Sequence, residues 1–167
     1  EVANSTIANN ASNKAGSSVR PKSKEVELLS ISAHSENSTS NSIEAGKDIL
    51  VSIDFKVHEL TEPIQLNMFV VKPDGTYLAG LNTNEVFGEY KPSPGKHRIS
   101  CRIKADQLVK GYYYVNTGVY TYSEPARLID ILDISYGAKV PKITILESSP
   151  TQNGEFNIMG NWSEERK

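Results

Sequence analysis

One stretch of the chain, residues 108–122, limits what it can fold into, because it holds five of the eight tyrosines in a strand-like alternation. In an extended strand, successive side chains point to opposite faces of the sheet. Tyr113, Val115, Thr117, Val119 and Thr121 then form one face, and Tyr112, Tyr114, Asn116, Gly118, Tyr120 and Tyr122 form the other. The first set is β-branched after its leading tyrosine and suits the inside of a sandwich. The second is a row of phenols around an amide and a glycine. A water-facing sheet has no structural need of four tyrosines, so either a ligand binds there or another protein surface covers it.

Much of the remaining chain repeats the same period. Residues 25–33 read as a first strand, followed by a polar loop over 35–42. In residues 49–57, Ile49, Val51, Ile53, Phe55 and Val57 point one way, and Ser52, Asp54, Lys56 and His58 the other. Residues 64–71 read as a central strand, apolar on both faces. Pro73, Asp74 and Gly75 then turn the chain into a hairpin with residues 76–81. Residues 82–96 form a long loop with two prolines and two glycines. In residues 97–104, Ile99, Cys101 and Ile103 face in, and Arg98, Ser100, Arg102 and Lys104 face out. Further strands are predicted over 128–136, 142–146 and 156–162. About seven or eight short strands with turns between them, and no long amphipathic helix, predict an all-β fold. The expected architecture is an Ig-like antiparallel β-sandwich, jelly-roll-like in outline. The spacing of Leu108, Gly111, Tyr113 and Val115 fits a tyrosine corner, in which the hydroxyl bonds to the backbone upstream. That gives Tyr113 a structural task and turns it inward.

Residues 1–24 are mostly Asn, Ser, Ala and Lys with almost no large apolar side chain, so they are predicted to be a flexible linker ahead of a domain over 25–167. Numbering starts at Glu1 without Met, as expected of a fragment or a processed chain. A net charge of −2 with the signs mixed weighs against nucleic acid as a partner. No apolar run is long enough to span a membrane, and no signal-peptide core is visible. The single cysteine, Cys101, rules out an intrachain disulfide and reads as a buried small hydrophobe. No nucleophile elbow, phosphate loop or His/Cys cluster is present, so the chain is expected to be non-catalytic, with no metal and no cofactor. His34, His58 and His97 are scattered and read as exposed polar residues. Asp130 and Asp133 fall on opposite strand faces and make no dyad; by composition alone either is a candidate calcium ligand.

The order of features from Glu25 onward resembles the C-terminal carbohydrate-binding domain of Wzt-type ABC-transporter ATPases, which export bacterial O-antigen polysaccharides. The resemblance is carried by several segments: the Ile49 to Val57 strand, the hairpin from Pro63 through Lys72, Asp74, Gly75 and Leu81 to Asn82 and Thr83, the Pro94-Gly95 pair, the Leu108 to Val115 run, and residues 154–162. It covers most of residues 25–162 and departs over 130–145. It implies a cytoplasmic β-sandwich at the inner face of the bacterial inner membrane, fused behind an ATPase domain near Lys24. That upstream domain alone would bind ATP and meet the membrane transporter subunit. The resemblance further implies a lipid-linked polysaccharide bound on one sheet face, and a homodimer, with exchange of C-terminal strands left open.

Residues and resemblance meet on the outward face of the tyrosine strand. Sugar rings present an apolar C–H face to aromatic rings and a rim of hydroxyls to amides and guanidinium groups. Tyr112, Tyr114, Tyr120, Tyr122 and Asn116 supply the aromatic and amide parts. If residues 97–104 pair with this strand, Arg102 and Arg98 join the same face, and Gly118 leaves a dip between aromatic walls. The competing expectation is that the loop over 82–96 or a protein partner covers the tyrosines. In that case the chain is an Ig-like interaction or adhesion module of a secreted or surface protein. An accessory sugar-binding module of a secreted enzyme is a third. Trp162, the sole tryptophan, is expected to anchor the core or a dimer interface rather than to serve as a sugar platform.

Overall fold

A computed structural model describes residues 20, 23–44, 46–105, 108–146 and 160–166. Its strands are β1 Val26–Ser35, β2 Ser42–Ile43, β3 Asp48–Val57, β4 Ile64–Val71, β5 Tyr77–Asn82, β6 Gly95–Lys104, β7 Gly111–Thr121, β8 Leu128–Leu132, β9 Lys142–Ile145 and β10 Gly160–Arg166. One short helix, α1 Asn84–Phe87, and a 3-10 turn at Ile134–Tyr136 complete the described elements. Two sheets result. One has the order β1-β3-β6-β10; the other runs β2-β9-β7-β4-β5, with β8 beside the far half of β7. All pairs are antiparallel except β2 with β9. The expected all-β sandwich is therefore present. The strand tally is higher than expected partly because Ser42 and Ile43, inside a stretch read as loop and turn, pair with Thr144 and Ile145. Two residues are too few to show a period.

The core lies between the sheets and follows the alternation. Ile49, Val51, Ile53, Phe55 and Val57 of β3 are all buried, as are Ile99, Cys101 and Ile103 of β6. Tyr113, Val115, Thr117, Val119 and Thr121 of β7 close it from the second sheet. The register of β1 slips between Leu28 and Ser30, so two consecutive residues point outward and Leu28 and Ile31 both remain inside. The tyrosine corner is formed: Tyr113 Oη donates to the Val109 carbonyl at 2.7 Å. The hairpin turn closes through Lys72 N to Thr76 O at 2.8 Å, and Gly75 takes φ +86°, which favours a residue without Cβ. Burial pushes the Cys101 thiol up to about 12, in keeping with an inert core residue.

Three further placements bear on expectations. His97 is not an exposed polar residue. It stacks on Phe55 at 5.3 Å, with Nδ1 3.0 Å from Glu164 Oε1 and Nε2 2.8 Å from the Ser93 carbonyl. Trp162, opposite Cys101, is partly buried against the core, as an anchor would be. Its strand is described from Gly160, so residues 156–159 of the expected last strand lie outside the described residues. The predicted linker also lies outside them except for Arg20, Ser23 and Lys24. Arg20 packs on the domain, donating to both Asp130 carboxylate oxygens at 2.8 and 2.6 Å and to the Leu28 carbonyl at 2.9 Å.

Candidate functional site

Three cross-strand rows build the outer face of the larger sheet. Gln65 of β4 lies opposite Tyr120 of β7, and Tyr120 opposite Leu128 of β8. In the next row Asn82 of β5, Asn67, Gly118 and Ile131 stand in line. In the third, Gly80, Phe69 and Asn116 do. The alternation that sends Val115, Thr117 and Val119 inward fixes these partners outward.

The tyrosines differ among themselves. Tyr112 is exposed, and Lys142 Nζ lies 4.2 Å from its ring centroid. Tyr114, across from Lys142, and Tyr122 are half-buried. Tyr120 lies down along its own strand: a Cβ on Gly118 would stand 2.9 Å from Tyr120 Cε2. The dip expected at Gly118 is therefore filled by a ring, and the glycine is what lets the ring lie flat. Burial, then Asp133 and Tyr136, raises the Tyr120 phenol. Tyr77 of β5 packs edge-on against Phe69 at 5.5 Å and donates to Asp133 Oδ2 at 2.9 Å. Partial burial, then this bond, pushes Tyr77 up to about 12 although the residue is 57% exposed. Both phenols are therefore neutral donors at ordinary pH.

Backbone donors settle which way Asn82 and Asn116 point, and Asn82 in turn orients Gln65 and Asn84. Asn84 N donates to Asn82 Oδ1 at 2.8 Å, so Asn82 Nδ2 is the group that donates to Gln65 Oε1 at 3.0 Å. Gln65 Oε1 also accepts from Asn84 Nδ2, which leaves Asn84 Oδ1 buried without a partner. Asn67 Oδ1 is buried and unpartnered as well. Asn116, 1% exposed, accepts from Ile134 N at 3.3 Å, and its Nδ2 lies near the Tyr77 hydroxyl without making a hydrogen bond of good geometry. Each such atom needs water or a ligand to satisfy it. Asp133, by contrast, is fully engaged by Tyr77 and by the Ser135 N–H and hydroxyl at 2.7 and 2.6 Å.

Arg102 is not on this face. β6 pairs with β3 and β10 in the other sheet, so Arg102 and Arg98 point out on the far side of the sandwich. There Arg102 pairs with Glu36 at 2.8 Å and Arg98 with Asp54 at 2.8 Å. The conditional pairing that placed them beside the tyrosines fails because β7 is flanked by β4, β8 and β9 instead. Sequence reasoning also missed Gln65, Asn67, Phe69, Tyr77, Asn82 and Asn84. The alternation of Gln65, Asn67 and Phe69 with buried Leu66, Met68 and Val70 shows that β4 is polar at one end of its outer side, not apolar on both faces. Asp130 and Asp133 do take opposite faces, Asp130 inward on Arg20 and Asp133 outward on Tyr77. Among the described residues no group of three or more His, Cys, Asp or Glu side chains is placed to hold a metal ion. A polar cleft lined by Ser35, Glu36, Asn37, Ser40, Glu44 and Asp48 offers no aromatic surface for a sugar ring.

These elements define a two-sheet, all-β sandwich with one outer face of phenols and unpaired amides. The chain belongs to the Wzt C-terminal domain family, whose model matches residues 17–157. Its fold is similar to the crystal structure of the C-terminal domain of Wzt, with a TM-score of 0.60 and 11% identity over 84% of this chain and 83% of that one. A Northeast Structural Genomics Consortium target overlaps at a TM-score of only 0.31, with 12% identity over 76% of this chain and 89% of that one. No curated protein matches the chain significantly.

Proposed function

We propose that the chain is a non-catalytic carbohydrate-binding module that recognises a lipid-linked bacterial O-antigen polysaccharide for export by an ABC transporter. The support is membership of the Wzt C-terminal domain family together with the outer face of the larger sheet. The observation that carries most weight is the juxtaposition of unpaired amide atoms on Asn67, Asn84 and Asn116 with the rings of Tyr120, Tyr77 and Phe69. An aromatic surface beside open hydrogen-bonding groups suits a sugar ring and its hydroxyls. Tyr112, Tyr114 and Tyr122 extend the platform along β7. In this proposal an ATPase domain upstream of the chain binds ATP and meets the transporter, the module works at the cytoplasmic side of the inner membrane, and two copies associate. Calorimetric titration with the O polysaccharide of the encoding organism, beside an unrelated polysaccharide, tests it. Selective binding to the former is expected; equal or absent binding to both contradicts it.

A further inference from the structure

We propose that Gln65, Asn67, Asn82 and Asn84, beside the Tyr120 ring, form a subsite for a neutral sugar residue and discriminate against acidic ones. This rests on the glycan-binding function above and specifies its ligand. The free atom on Asn84 is an acceptor, as the chain of bonds from Asn84 N through Asn82 and Gln65 requires. Asn67 presents a second unpartnered amide oxygen in the neighbouring row. Buried acceptors call for donor hydrogens, which a sugar hydroxyl has and a carboxylate or phosphate lacks. An anion facing them would lose its hydration and meet carbonyl oxygens in return.

The charges nearby have the same bias. Glu85, exposed in α1, follows Asn84 directly, and Asp133 supplies a second carboxylate beside Tyr77. The cation on the strands of this face, Lys142, pairs with Tyr114 and lies over the Tyr112 ring on the β9 side of β7, whereas Gln65 and Asn67 stand on β4 at its other side. Arg98 and Arg102 are on the other sheet and bonded to Asp54 and Glu36, Arg20 is held by Asp130, and Arg127, just before β8, is paired with Glu25 at 3.0 Å, so none of these four guanidinium groups is left unpaired for a uronic acid or phosphate. The phenols of Tyr77 and Tyr120 stay protonated and add no charge.

The test uses the O polysaccharide of the encoding organism in two forms. One is neutral, native or carboxyl-reduced; the other has its primary hydroxyls oxidised to uronic acids. The neutral form is expected to bind and the oxidised form to bind at least about tenfold more weakly, roughly the loss of one hydrogen-bonded contact or more. Asn84→Ala and Asn67→Ala are expected to weaken binding of the neutral form by roughly 5- to 10-fold each. Asn84→Ala, outside the strands, should do so with no fall in melting temperature. Equal or tighter binding of the oxidised form, or wild-type binding by both variants, overturns the subsite while leaving glycan binding in place. Binding of neither form overturns the proposed function itself and the subsite with it.

Discussion

The two outer faces of this sandwich share one alternation and carry opposite chemistry. On the four-stranded sheet, polar side chains satisfy one another: Asp54 takes Arg98 at 2.9 and 2.8 Å and Ser30 at 3.1 Å, Ser52 meets Ser100 at 3.0 Å, and Arg102 meets Glu36 at 2.8 Å. On the larger sheet the face is built mainly of phenols, amides and a phenylalanine, with Lys142 over Tyr112 and Asp133 bonded to Tyr77, and the three buried side-chain atoms without partners among the described residues lie on it or on the adjoining α1. A face of mixed charges keeps a sheet soluble and needs nothing further. A largely uncharged face with open hydrogen-bonding groups is incomplete until something occupies it. Outwardness alone therefore does not mark a functional surface; unmet bonding capacity does.

The sharpest way to break the inside–outside division is at Tyr113. Its ring is buried and its hydroxyl closes the corner on Val109. Tyr113→Ala should cost about 3–5 kcal/mol of stability, the scale of emptying an aromatic core position. Denaturant unfolding checks it, and a loss under 1 kcal/mol would mean that the strand faces are misassigned.

Next in size is Asp130, 1% exposed, which accepts from Arg20, from Leu28 N at 2.7 Å and from Ile131 N at 2.8 Å. Asp130→Ala leaves two backbone donors and a guanidinium without their acceptor and should cost about 3 kcal/mol. Arg20→Ala should cost part of this. Melting curves of the two variants compare directly.

A pH scan gives a smaller effect. Burial raises the Cys101 thiol from 9.0 to about 12, and burial with the Asp133 bond raises Tyr77 from 10.0 to about 12. Groups with raised values contribute stability that is fully present below the unfolded value and lost as pH climbs through the folded one. Stability should therefore begin to fall above pH 9 and continue falling towards 12. Cys101→Val should remove the earliest part of the fall. Tyr77 should contribute less than Cys101, because it is more than half exposed and solvent screens its charge.

The smallest effect belongs to the charged face. Arg98→Ala removes a partly exposed ion pair and should cost less than about 1 kcal/mol. Its unfolding midpoint should shift only slightly.

Much of the fold was legible because the period of two recurs in β3, β6 and β7 with few interruptions. The inward set of β7, the tyrosine corner and the Asp74-Gly75 hairpin could all be read from residue spacing. Sheet membership could not. Alternation says which side chains share a face of one strand but nothing about which strand lies beside it, and that gap put Arg102 next to the tyrosines. Asn84 was equally hidden, because it lies on a short helix inside a proline- and glycine-rich loop, and its role arises from Gln65, 19 residues earlier. The period of β6 does put His97 on the inward side with Ile99 and Cys101, but its residue type argued for exposure, because nothing near it in sequence announces Glu164, the carboxylate that meets it.

The central claim is that the largely uncharged face, not the charged one, takes the glycan. Calorimetric titration of the encoding organism's O polysaccharide against Tyr120→Ala and Arg98→Ala, side by side with the wild type, tests it most directly. Tyr120→Ala should lose about 1–3 kcal/mol of binding, the scale of one aromatic contact, while Arg98→Ala binds like the wild type. Undiminished binding by Tyr120→Ala together with a loss in Arg98→Ala would place the site on the other sheet and contradict the account.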